Sequence, residues 1–165
     1  MIDQRPFFGS LYIDNHAMVR QMCLGFMKGD RDAANDLTQE VFISVWNALG
    51  TFKGESSAKT WIYRITVNTC LQFLRKKSNR LNVSLPSTFD IGEETTDPPD
   101  GNQALYVAIG SLPEVDRLII MMVLDELDYD EIARVVGIEN NNLRVRIHRI
   151  KKKLKELLQN EQRYQ

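Results

Sequence analysis

Apolar residues in this chain recur at three- and four-residue steps, and no segment alternates strictly between apolar and polar. That period belongs to the α-helix and excludes a core made of half-buried strands. It fails over its longest stretch between residues 82 and 101, where Pro86, Gly92, Pro98, Pro99 and Gly101 sit among Ser, Thr and Asp. Proline removes a backbone donor and clashes within a helix, and glycine weakens one. The same stretch has no Lys or Arg and carries Asp90, Glu93, Glu94, Asp97 and Asp100. With little apolar surface to bury and charges of one sign, it reads as an extended or mobile tether. The expected fold class is all-α: two small helical domains, 6–81 and 102–160, joined by a flexible acidic linker at 82–101.

The charge follows the same division. The total over 165 residues is −1, which taken alone argues against a nucleic-acid partner. Residues 1–80 hold 11 basic and 7 acidic residues, a net of +4, and residues 143–165 hold 8 and 2, a net of +6. Residues 81–111 are at −5, and residues 112–142, with 2 basic and 8 acidic, at −6. The neutral sum conceals two cationic blocks. No apolar run reaches the roughly 18 residues of a membrane-spanning helix. Met1 to Ser10 lacks the apolar core of a signal peptide. Cys23 and Cys70 are too few for a disulfide framework and too far apart for a CxxC pair, so buried thiols in a reducing cytoplasm are expected.

In the first domain, a helix is expected to start at Asp30 or Asp32, either of which can cap it. Leu37, Val41, Phe42, Val45, Trp46 and Leu49 form its core stripe, leaving Asp36, Gln39, Glu40 and Asn47 on the other side. That polar side is either a solvated face or an acidic surface for a basic partner helix. After a turn-rich stretch, Phe52 to Lys59, a second helix is expected over Thr60 to Lys77. Trp61, Ile62, Ile65, Thr69 and Phe73 can face its core. Thr60, Arg64, Asn68, Leu71 and Arg75 line another face, and Arg75, Lys76, Lys77 and Arg80 end it in a basic cluster. The helix dipole alone favours cations there. Cations interleaved with aromatics beside a loop also suit single-stranded nucleic acid, where rings stack on bases and cations follow phosphates.

In the second domain, Ala133, Gly137 and Leu143 have the spacing of a helix-turn-helix. The alanine lets two helices touch, the glycine permits a left-handed turn, and the leucine anchors the second helix. Asn140 to Asn142 can cap that helix. Leu143, Ile147, Ile150 and Leu154 form its core stripe. Arg144, Arg146, Arg149, Lys151, Lys152, Lys153 and Lys155 supply seven cations with no acid among them. A helix lying in a DNA major groove needs cations for phosphates and arginines for guanine. Before it, Pro113 opens a helix from about Glu114 to Leu124 whose Leu118–Leu124 run is expected at the domain centre.

Four segments in order resemble the extracytoplasmic-function (ECF) class of bacterial sigma factors. They are Asp36-Leu37-Thr38-Gln39-Glu40-Val41-Phe42; Thr60-Trp61-Ile62-Tyr63-Arg64-Ile65 with Asn68 and Arg75; Leu112-Pro113; and Glu131-Ile132-Ala133 through Gly137-Ile138 to Arg144, Arg146 and Arg149. The resemblance covers about residues 6–158 and implies roles. Asp36, Gln39 and Glu40 would dock on the clamp helices of the largest subunit of core RNA polymerase, and the second domain would meet its flap region. The loop carrying Phe52, Lys53, Ser56 and Lys59 would receive a flipped base of the minus-ten promoter element. Arg64, Asn68, Leu71 and Arg75 would contact the opened strand. Arg144, Val145, His148 and Arg149 would face bases of the duplex minus-thirty-five element, with Arg146 and Lys152 beside them and Arg146 on phosphate. An anti-sigma factor is a further implied partner.

The chain departs from the family pattern in two places. Asn141-Asn142 stands where Gly-Thr is usual before the recognition helix, and Val145 stands where a small polar residue is common. The first family helix is expected to be short, Phe7–Tyr12, and no further domain is expected after Leu158. No Gly-rich phosphate loop, zinc spacing or nucleophile–base pair is present, so neither enzymatic activity nor a cofactor is expected. The alternatives are a helix-turn-helix regulator that does not dock on polymerase and a helical adaptor with no DNA role.

Overall fold

The computed structural model describes residues 3–81 and 102–164; the acidic stretch 82–101 lies outside them. The described residues form seven α-helices and no strand: α1 (Arg5–Phe26), α2 (Arg31–Ala48), α3 (Ala58–Leu81), α4 (Gln103–Gly110), α5 (Glu114–Leu124), α6 (Tyr129–Val136) and α7 (Asn140–Arg163). A 3-10 turn, Leu49–Thr51, extends α2. None of these helices is long and apolar enough to cross a membrane.

The first unit is α1–α3. Its opening helix corrects the expected short segment at Phe7–Tyr12: α1 runs unbroken for 22 residues. Pro6 lies in its first turn, where a missing N–H leaves no bond unmade. Leu11, Asn15, Met18, Val19, Met22, Cys23 and Phe26 then give one continuous buried stripe. Gly9 costs a helix interior about 1 kcal/mol against Ala, which that stripe outweighs. Asp30 begins α2, its carboxylate accepting the Ala33 N–H at 3.0 Å. Ser57 starts α3 in the same way, its Oγ accepting the Thr60 N–H at 3.1 Å. The core between them holds Ala34, Leu37, Val41 and Val45 of α2 against Ile62, Tyr63, Val67 and Cys70 of α3. Cys23 and Cys70 meet there as a buried pair. The hydrogen bond with Cys23, and then burial, push the Cys70 thiol well above its usual range.

The second unit is α4–α7. Leu118 to Met122 fill its centre as expected, whereas Leu124 is exposed. The helix-turn-helix forms as the spacing requires. Gly137 takes φ 76°, and its N–H and that of Ile138 both bond the Ala133 carbonyl, at 2.8 and 3.1 Å. Leu143, Ile147, Ile150 and Leu154 are buried. The expected asparagine cap does not form. Glu139 occupies the cap position without a side-chain bond, and the Asn140 amide instead donates to Asp130. Helix α7 thus starts tied to α6.

The two units pack together, α1 against α4 and α5, and α3 against α5 and α6. Gly25 leaves room for the Met121 thioether, which any Cβ there would strike. A Cβ on Gly110 would come within 2.9 Å of the Lys28 side chain. Arg117 is buried between the units, its Nε donating to the Leu112 carbonyl at 2.8 Å and its Nη1 to the Phe26 carbonyl at 3.2 Å. It thereby satisfies a carbonyl at the C-terminal end of α1 that has no partner within the helix.

Candidate nucleic-acid interface

Three surfaces carry the residues singled out from the sequence. The first is the outer face of α2, where Asp36, Gln39 and Glu40 are all exposed. The same stripe continues through Ile43, 60 % exposed, and Trp46, 43 % exposed. Trp46 therefore corrects the expected core stripe: it stands at the surface with its ring edge-on to Phe8 at 5.2 Å. Phe8, Tyr12, His16 and Phe42 join it in a run of ring contacts between α1 and α2. Acids beside exposed apolar groups make a surface suited to a basic, partly apolar helix. Ile43 has no counterpart in the expected surface, since an apolar residue at three- and four-residue steps from the acids carries no charge to mark it there.

The second surface is the 52–59 loop with the start of α3. Phe52 is half-buried, stacked on Phe7 at 6.2 Å and tilted against Trp61 at 4.8 Å. It anchors the loop root, while Lys53 is exposed and Ser56 half-buried. Lys59 lies 3.4 Å from Asp125 of the second unit and 5.8 Å over the Tyr63 ring. The buried Tyr63 donates its hydroxyl to the same Asp125 carboxylate. Along α3, Asn68 and Arg75 are exposed and Arg64 and Leu71 half-buried, whereas Thr60 is buried and leaves that face. Arg64 Nε is buried without a hydrogen-bond partner among the described residues. An unmet buried donor of this kind costs about 1–3 kcal/mol.

The third surface is α7. Arg144 donates to Asn140 Oδ1 at 3.2 Å and lies 5.6 Å over the Tyr129 ring. Lys151 reaches the Tyr129 hydroxyl at 3.2 Å. Arg146 pairs with Asp116 at the start of α5. Among the described residues, Val145, His148, Arg149 and Lys152 stand exposed with no protein partner for their side chains. The structure thus gathers the α7 residues on one face and the loop residues near α3. The two sets remain on separate units. The role of Tyr129 as a brace was missed in the sequence, because only the fold brings it under α7.

Comparison with known proteins matches both units. The Sigma-70 region 2 family model covers residues 11–80 and the Sigma-70, region 4 model covers residues 102–154. The ECF RNA polymerase sigma-E factor of Escherichia coli K12 is 34 % identical over 129 residues, which is 69 % of this chain and 68 % of that protein. The ECF RNA polymerase sigma factor SigE of Mycolicibacterium smegmatis is 30 % identical over 147 residues, 80 % of this chain. The match spans 54 % of that mycobacterial protein's length. Among solved structures, the sigma factor RpoE in complex with the anti-sigma factor NepR from Bartonella quintana has a TM-score of 0.75. It is 20 % identical and covers 92 % of this chain and 96 % of its own. CnrH in complex with the cytosolic domain of CnrY has a TM-score of 0.68 at 24 % identity, covering 95 % and 90 %.

Proposed function

Since the chain belongs to the ECF RNA polymerase sigma factors of the sigma-70 family, we propose that its three surfaces divide the work of promoter recognition. The α2 stripe of Asp36, Gln39, Glu40, Ile43 and Trp46 docks on the clamp helices of core polymerase. The 52–59 loop and the Arg64, Asn68, Leu71, Arg75 face of α3 capture one strand of the minus-ten element as the duplex opens. Helix α7 reads the minus-thirty-five element as duplex, and the second unit (102–160) meets the polymerase flap. The protein acts in the cytoplasm by binding and strand capture, without catalysing a reaction.

The observation that carries this reading is two differently built cationic surfaces on one chain. An exposed helix suits a groove, and a loop whose rings and exposed lysines stand beside the polar face of α3 suits an unpaired strand. A regulator that bound only duplex DNA would have no use for the second. The packed arrangement is then a resting state. Elements about 25 base pairs apart lie about 85 Å apart at about 3.4 Å per step. Units joined through Tyr63, Lys59 and Asp125 cannot reach both, because a packed chain of this size has a radius of gyration of about 15 Å.

The test is capture of core RNA polymerase by the full chain, followed by run-off transcription on a genomic fragment library. Wild-type protein should bind and direct starts at a discrete set of sites. Asp36→Arg with Glu40→Arg should weaken polymerase binding at least tenfold at unchanged helicity. No binding, or binding indifferent to that reversal, would sink the docking assignment.

A further inference from the structure

The exposed face of α7 has an apolar residue at its centre. At about 100° per residue, the buried positions Leu143, Ile147, Ile150 and Leu154 cluster in one direction. Val145 and Lys152 project almost opposite them. His148 and Arg149 fall to either side, and Arg144 and Arg146 lie further round on the two flanks. Those flanking arginines already have protein partners, Tyr129 and Asn140 for one and Asp116 for the other. Val145 has none and is 51 % exposed. It fills no core and lines only the open cleft between α7 and the Leu112–Asp116 turn, and a β-branched residue is a poorer helix former than alanine.

We propose that Val145 is a specificity-determining residue that selects a thymine by packing on its 5-methyl group. The inference rests on the reading of α7 as a duplex-reading helix and names what one position of it reads. A major groove offers donors, acceptors and one apolar feature, the thymine methyl. An isopropyl group gains nothing against a donor or acceptor edge and would leave that edge dry. Against a methyl it removes apolar surface from both partners. Lys155 and Lys153, exposed on the two flanks, hold the helix over the phosphates, so the central side chain meets the floor of the groove rather than its walls.

The full chain assembled with core RNA polymerase would be used to select bound duplexes from a library randomised across the upstream element. Each thymine of the selected element would then be replaced singly by deoxyuridine, which lacks only the methyl. At one position the replacement should weaken wild-type binding about fourfold, the factor expected for one methyl-sized group. Val145→Ala should bind the thymine and deoxyuridine duplexes equally there. Lys152→Ala should weaken both alike and keep the ratio. If no position distinguishes the two bases, or if Val145→Ala keeps the discrimination, the assignment is wrong. If no duplex is selected at all, the duplex-reading role of α7 falls first, and this assignment with it.

Discussion

Single residues decide this structure where the chain turns, caps or touches itself closely. Gly137 and Leu143 could be read in advance because a left-handed turn and its anchoring leucine sit at fixed offsets. Asp30 could be read because a cap lies next to the helix it serves. Trp46 could not, since its place depends on how far Phe8 of another helix covers it. Nor could the cap of α7, where Asn140 is drawn to Asp130 across the turn instead. The cysteine pair gives a prediction at this scale. Both thiols are buried out of a reagent's reach; their mutual hydrogen bond pushes Cys70 well above the usual thiol range, with burial adding to it, and lowers Cys23. Thiolate is the reactive form. Titration with a chromogenic disulfide reagent at neutral pH should therefore find essentially no reactive thiol in native protein and both after denaturation.

Helices were legible from their period, and their ends less so. Helix α1 extends well past the expected Phe7–Tyr12 segment, across Gly9, Asn15 and His16, which break the apolar pattern. The structure absorbs each of them. Asn15 is buried with its amide on the Leu11 carbonyl at 2.9 Å, and His16 joins the ring cluster at 4.9 Å from Tyr12. Helix α7 was legible as a cationic element, but its seven cations are not equivalent. Arg144, Arg146 and Lys151 are held by Tyr129, Asn140 and Asp116, which leaves Arg149, Lys152, Lys153 and Lys155 exposed and unpaired among the described residues. Binding of the full chain to a minus-thirty-five duplex should fall with salt at a log–log slope near about −4 rather than the about −6 of seven free cations. Substituting Lys153 by alanine should reduce that slope by about one.

At the scale of the whole molecule the sequence foretold two helical units and not their embrace. Contacts between them are made by Gly25 on Met121, Gly110 on Lys28, and Arg117 on the Phe26 carbonyl. Such pairings are far apart in the chain and leave no local pattern to read. They also give a means of separating the units without altering either cationic surface. Gly110→Val should force the Lys28 side chain aside and loosen the packing, raising the radius of gyration seen by small-angle scattering while helicity holds. An unchanged radius would mean that the interface tolerates the wedge. The Lys59–Asp125 pair has a consequence for how such a protein is assayed. If the loop binds DNA as proposed, this lysine arrives already holding an anion, so capture of a phosphate is an exchange of partners rather than a new union. Added salt screens the carboxylate and the phosphate alike. Lys59 should therefore be nearly silent in a salt titration while still deciding which of its two anions the molecule is closed upon.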